Sequence, residues 1–204
     1  MSIQPKLKNK QRRIGLTGGI ASGKSTITNY IKKYRNIPIL DADQYSKELI
    51  KPKSNCYEQV LAYFGPQIVD EYSSENAINR ALLKEIIFEN SIHRTWIQNL
   101  LHPLIKEKMI QECNLYNNNE IILLVIPLLF EAKFEDICTE IWLVKCTELE
   151  QIQRLVRRDK ISEEEARKIL KLQLTFEAKT EFSDVILDNS DDRNRWIDKV
   201  KDLI

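Results

Sequence analysis

The chain has 204 residues, 43% of them hydrophobic and 30% charged, enough to bury one substantial core and carry a small subdomain. Its 31 basic and 30 acidic side chains leave a net charge of +1, which creates no global field for nucleic acid or anionic lipid, so any anion site has to be local. The four cysteines form no C-x-x-C pair and do not cluster with the two histidines, which argues against a zinc site or disulfide framework and for free thiols in a reducing cytoplasm.

Residues 1–12, "MSIQPKLKNKQR", are basic, and the apolar stretch after them is short and broken by glycines, so a flexible tail is expected rather than a signal peptide. "RIGLT" then reads as a first strand. Four of the five glycines fall between Gly15 and Gly23, where "GGIASGKST" places Gly18, Gly23, Lys24 and Ser25 in the spacing G-x-x-x-x-G-K-[ST]. Ile27, Tyr30, Ile31 and Tyr34 follow with the i, i+3, i+4, i+7 stripe of a helix packed on a sheet. The motif thus lies between strand and helix, the context that separates a phosphate-binding loop from a glycine-rich turn. Backbone N–H groups over Gly18, Gly19, Ala21, Ser22 and Gly23 would cradle phosphate at the helix N-terminus. Lys24 would reach the β- and γ-phosphates, Ser25 would ligate Mg²⁺, and Thr26 would steady the α-phosphate side.

"IPILD" is the second strand candidate, and "ILDADQ" presents Asp41 and Asp43 just beyond the sheet edge at which open α/β folds bind ligands. Strand alternation would send both to one side, where the pair suits a water-mediated Mg²⁺ contact and removal of a proton from a hydroxyl. Asp41 equally suits the cap of a helix starting near Gln44. Some eighty residues rich in helix formers come next, longer than a βα crossover needs, and imply a helical substrate subdomain over about 42–118. "IILLVIP", "EIWLVK" and "DVILDN" supply three further strands. Apolar, non-alternating strands separated by helices predict an α/β fold, a parallel sheet of about five strands flanked by helices. The longest apolar run, Ile121 to Phe130, is half of what a bilayer demands.

"TELEQIQRLVRR" and "SEEE" carry capping-box spacings at Thr147 and Glu150 and at Ser162 and Glu165. In the first of these helices Leu149, Ile152, Leu155 and Val156 would pack, leaving Arg154 and Arg158 one turn apart on the other face. They are either a solvated basic face or guanidinium groups brought over phosphates. No D-x-x-G or N-K-x-D of a GTPase is present, and Val125 stands where an acid might end the third strand.

These blocks resemble the dephospho-CoA kinase family. The resemblance is carried by "IGLTGGIASGKST", "LDAD" with "KELIKP", "LLHPLI", "IPLLFE", "QRLVRRDKISEEEA", Gln173 and "SDVILDN", in order from Ile14 to Asn189. It implies a P-loop kinase with an adenylate-kinase-like core over 13–204, a helical region for a pantetheine-bearing acceptor and a small lid over about 147–175. The implied reaction moves the γ-phosphate of ATP, with Mg²⁺, to the ribose 3′-hydroxyl of dephospho-CoA. By motif, Asp43 would be the base, Asp41 its support or a metal contact, and Arg154 and Arg158 lid groups. His102, Pro103 and the run Pro127, Leu128, Leu129, Phe130 and Glu131 would line the acceptor site, and Asn189 would lie beside the adenine.

From residue type alone, His102 equally suits a packed structural role, with Pro103 biasing it away from helix. Glu131 equally suits a cap, and Asp188-Asn189 a turn. Many relatives have glycine where Ala21 stands, and alanine there suggests a backbone outside the glycine-only region. Many also have an acid at the place of Val125. A cytoplasmic monomer or weak homo-oligomer acting on a small molecule, without nucleic acid or membrane partners, is expected. The competing readings are another small-molecule P-loop kinase and a non-enzymatic nucleotide switch.

Overall fold

Five strands assemble in the order β2-β3-β1-β4-β5, every neighbouring pair parallel, in a computed structural model that describes residues 11–191 and 194–204. They are β1 (Arg12–Gly18), β2 (Ile39–Asp41), β3 (Ile121–Val125), β4 (Glu140–Lys145) and β5 (Val185–Asp188). All five coincide with the apolar runs of the sequence. Both faces of the sheet are covered, so both side-chain sets must be apolar. On β3, Ile122 and Leu124 enter one core and Leu123 and Val125 the other.

The first core lies under α2 (Ala42–Leu49), α3 (Asn55–Phe64), α4 (Arg80–Glu89) and α5 (Ser91–Leu115), all inserted between β2 and β3. The second lies under α1 (Lys24–Tyr34) and the last helix of the chain, Trp196–Leu203. After β4 come α6 (Glu148–Asp159), α7 (Glu163–Leu170) and α8 (Phe176–Thr180), which makes Trp196–Leu203 α9. A third, small cluster joins Ile152 and Leu155 of α6 to Ala166 of α7 and to Ile20 and Ala21 of the glycine segment. Ser162 and Glu165 form the full reciprocal box at the start of α7, whereas Thr147 accepts the Glu150 amide and gives the Glu150 carboxylate its hydroxyl instead of its backbone N–H. Leu149 is exposed, outside the packed face expected for it.

Gln11 and Arg12 belong to the folded part, ahead of the boundary at 13 drawn from composition. Gln11 donates to the Tyr116 carbonyl at 2.7 Å, and Arg12 holds Glu140 through two bonds. The rest of the expected tail lies outside the described residues. α5 runs through "HP" without ending. Its buried residues Ile97, Leu101, Ile105, Met109 and Cys113 form one i, i+4 ridge, and their packing outweighs the hydrogen bond that Pro103 cannot donate. The four cysteines are free thiols, and no helix among the described residues is long and apolar enough to cross a membrane.

Candidate active site

β1 is the strand at which the chain reverses its direction across the sheet, with β3 on one side and β4 on the other, and its carboxyl end is therefore the switch point where α/β folds bind ligands. Residues 19–23 turn there from β1 into α1. Gly23 sits at φ +98, and a Cβ at that position would lie 2.0 Å from Asn189 Nδ2. Gly18 is equally confined, since its Cβ would stand 2.8 Å from both Ser22 Oγ and the Val144 carbonyl. Gly23 precedes α1 without any side-chain cap, so the first amides of the helix point at whatever enters the loop.

Ala21 lies at φ +57, inside the left-handed region. The alanine does not signal ordinary backbone here, and the methyl group is accommodated by packing against the cluster of α6 and α7. Lys24 folds back over the loop and donates to the Gly18 and Gly19 carbonyls at 2.7 and 3.0 Å. Burial, reinforced by the nearby Lys179 charge and only partly offset by Asp43 and Glu131, lowers its pKa to about 8.

Two cavities meet at this helix end. The larger, about 710 Å³, is bordered by Ser22 to Ser25, Asp41, Asp43, His102, Pro127, Leu128 and Arg158. The smaller, about 340 Å³, is bordered by Ala21, Gly23, Ser25, Thr26, Arg154, Arg158 and Asn189. Ser25 and Arg158 stand in both walls.

Asp41 and Asp43 do come together, but not by strand alternation. β2 stops at Asp41, whose Oδ1 caps α2 by accepting the Asp43 amide at 2.9 Å, and Asp43 occupies the first turn. The cavity walls and the Asp41 charge raise the Asp43 pKa, with Lys24, Lys47 and Arg80 opposing. A carboxylate whose pKa is raised by burial and a neighbouring acid is a usual setting for a proton acceptor.

Arg154 is half-buried and committed to the loop. It donates to the Ser22 carbonyl at 3.4 Å and the Asn189 carbonyl at 3.1 Å, while Asn189 itself donates to the Ser22 carbonyl at 2.8 Å. Asn189 also lies within a turn in which Asp188 accepts the Ser190 amide at 3.0 Å, so the turn and the cavity position coexist. Arg157 is exposed.

The remaining sequence-derived residues divide. His102 borders the large cavity edge-on to Phe134, and burial lowers its pKa. Pro103 is exposed and outside that lining. Pro127 and Leu128 reach the cavity, whereas Leu129 and Phe130 are core. Glu131 is turned inward: it pairs with Lys179 at 2.9 Å and accepts the Leu174 amide at 3.1 Å. Gln173 accepts the Ile20 amide at 2.8 Å. Lys179, 1% exposed, and the cavity cations Arg80, Lys84 and Arg94 carried no motif of their own, and a lysine in a short polar helix ordinarily reads as solvated.

A phosphate loop at the switch point of a 2-3-1-4-5 parallel sheet, opening on a second cavity that holds acids, defines the class of P-loop kinases. The family model for dephospho-CoA kinase matches residues 12–194. A dephospho-CoA kinase of Prochlorococcus marinus subsp. pastoris is 74% identical over the full length of both chains, and one from a second Prochlorococcus marinus strain is 65% identical over the full length of both. The solved dephospho-CoA kinase of Campylobacter jejuni shares the fold with a TM-score of 0.66 at 24% identity, covering 94% of this chain and 96% of its own. The chain belongs to the dephospho-CoA kinase family.

Proposed function

We propose that this kinase places the triphosphate of ATP on the residue 18–26 loop and the ribose 3′-hydroxyl of dephospho-CoA in the large cavity, giving coenzyme A and ADP. The observation that carries this reading is that the two cavities join at the N-terminus of α1, with Ser25 and Arg158 in both walls. A group passing from one ligand to the other would cross at that junction.

In this reading the loop amides and Lys24 hold the β- and γ-phosphates, Thr26 and Asn189 border the nucleotide side, and Arg154 fixes the loop against β5. Asp43 accepts the proton of the attacking hydroxyl, Asp41 holds Asp43 in place, and Arg158 offsets charge on the migrating phosphoryl group. His102, Pro127 and Leu128 shape the acceptor wall. α6 and α7 act as the lid, and α2 to α5 as the acceptor-binding region.

The oxygen-only donors Ser25, Asp41 and Asp43 border one cavity, which suits a hard cation that keeps most of its ligands as water and phosphate. Ser25 with one of the acids would hold Mg²⁺, which when bound neutralises charge on the phosphate oxygens. Incubating the purified chain with ATP, Mg²⁺ and separately dephospho-CoA, nucleoside monophosphates and simple alcohols, with products read by mass spectrometry, tests the reading. Coenzyme A is the expected product; turnover of a nucleoside monophosphate but not of dephospho-CoA would overturn it.

A further inference from the structure

Arg158, the guanidinium in both cavity walls, is held from behind. Asp159 accepts its Nε on Oδ1 at 2.7 Å and its Nη2 on Oδ2 at 3.0 Å, a two-point fork that fixes the guanidinium plane. Two of five N–H groups are used, and three remain for a ligand. The same Oδ2 accepts Lys84 Nζ at 3.1 Å. Lys84 comes from α4, in the helices between β2 and β3, and borders the same large cavity as Arg158. One carboxylate at the end of α6 is thus shared by two cavity cations, the adjacent Arg158 and Lys84, 75 residues from Asp159 along the chain.

We infer that Asp159 is a positioning residue for phosphoryl transfer: it aims Arg158 at the junction of the two cavities and, through Lys84, makes that aim depend on where α4 stands. An acceptor that draws on Lys84 or shifts α4 changes the load on Asp159 and with it the setting of Arg158. Acceptor occupancy and transition-state charge are coupled through a single side chain. The inference rests on the kinase reading above, since it requires phosphate at the junction.

The test is a set of variants of the full chain, assayed for coenzyme A formation: Asp159→Asn, Asp159→Glu, Lys84→Met, Arg158→Ala, and Asp159→Asn with Arg158→Ala. Asp159→Asn should lower kcat on the order of tenfold with KM for ATP nearly unchanged, because misorientation, not binding, is the defect. Asp159→Glu should recover part of it. Lys84→Met should act mainly on kcat/KM for dephospho-CoA. In the Arg158→Ala background, Asp159→Asn should cost nothing further. The same loss with and without Arg158 would overturn the inference, as would full turnover in Arg158→Ala. Should Asp159→Asn not fold, Lys84→Met decides: unchanged kinetics for both substrates would count against the coupling. A parent protein that makes no coenzyme A would instead overturn the kinase reading.

Discussion

Asp41 caps the helix on which Asp43 sits, its carboxylate accepting the Asp43 amide at 2.9 Å. The two acids both border the cavity but are not a symmetric pair, since the carboxylate of Asp41 is held by a backbone amide. Asp43→Asn should lower kcat about 10²–10⁴-fold while ATP still binds, since the lost group is the proposed proton acceptor. Asp41→Ala should cost about 1 kcal/mol of stability as well as activity, whereas Asp41→Asn preserves the cap. Stability by urea unfolding and turnover of Asp41→Asn together separate capping from charge. Full turnover in Asp43→Asn would remove the base assignment.

With Lys24 as the proposed phosphate contact, its protonation should set an alkaline limit. Its pKa of about 8 in the free enzyme is lowered chiefly by burial, and only the ammonium form attracts phosphate. The kcat/KM for ATP should therefore fall as pH rises through about 8, and fall on the acid side below a raised Asp43 pKa. At saturating ATP the bound phosphates retain the proton, and the alkaline limb of kcat should lie higher. Lys24→Arg, which does not titrate in this range, should remove that limb at a lower overall rate. A pH–rate profile of both proteins checks this.

Lys179 and Glu131 form the most deeply buried ion pair among the described residues, 1% and 17% exposed. Lys179→Met leaves the Glu131 charge unpaired and should destabilise the fold by about 3–5 kcal/mol. Lys179→Met with Glu131→Gln should recover most of that loss. Removing the Lys179 charge should also raise the Lys24 pKa and move the alkaline limb upward. Equal stability of the single and double variants would count against the pairing argument.

Ala21 and Gly23 both have positive φ but differ in the space around them. Ala21→Gly should change stability by no more than about 1 kcal/mol, relieved strain offsetting added chain entropy. Ala21→Val puts a β-branched side chain into the left-handed region and should weaken nucleotide binding. Gly23→Ala drives a methyl group into Asn189 and should abolish that binding. Nucleotide titration of the three variants orders them.

Local signals carried much of this molecule. The five strands, the loop, the caps at Thr147 and Ser162 and the helices they start follow from spacing within a dozen residues, because hydrogen bonding and apolar periodicity act at that range. Strand alternation put Asp41 and Asp43 on one side by the wrong route, since the chain turns helical at Ala42 and a helix turn brings them together, and a proline did not end α5, since a buried ridge continued it.

The sequence alone determined that a phosphate loop joins a strand to a helix, that an acidic pair follows, and that the chain resembles one kinase family. Only the tertiary structure decided that Glu131 turns inward to Lys179, that Pro103 faces out while His102 faces the cavity, and that Asp159 joins Lys84 to Arg158. Asn189 reaches Ser22 across 167 residues. Such pairings depend on which elements the sheet order brings together, and a charged side chain looks the same in sequence whether water or a buried partner receives it.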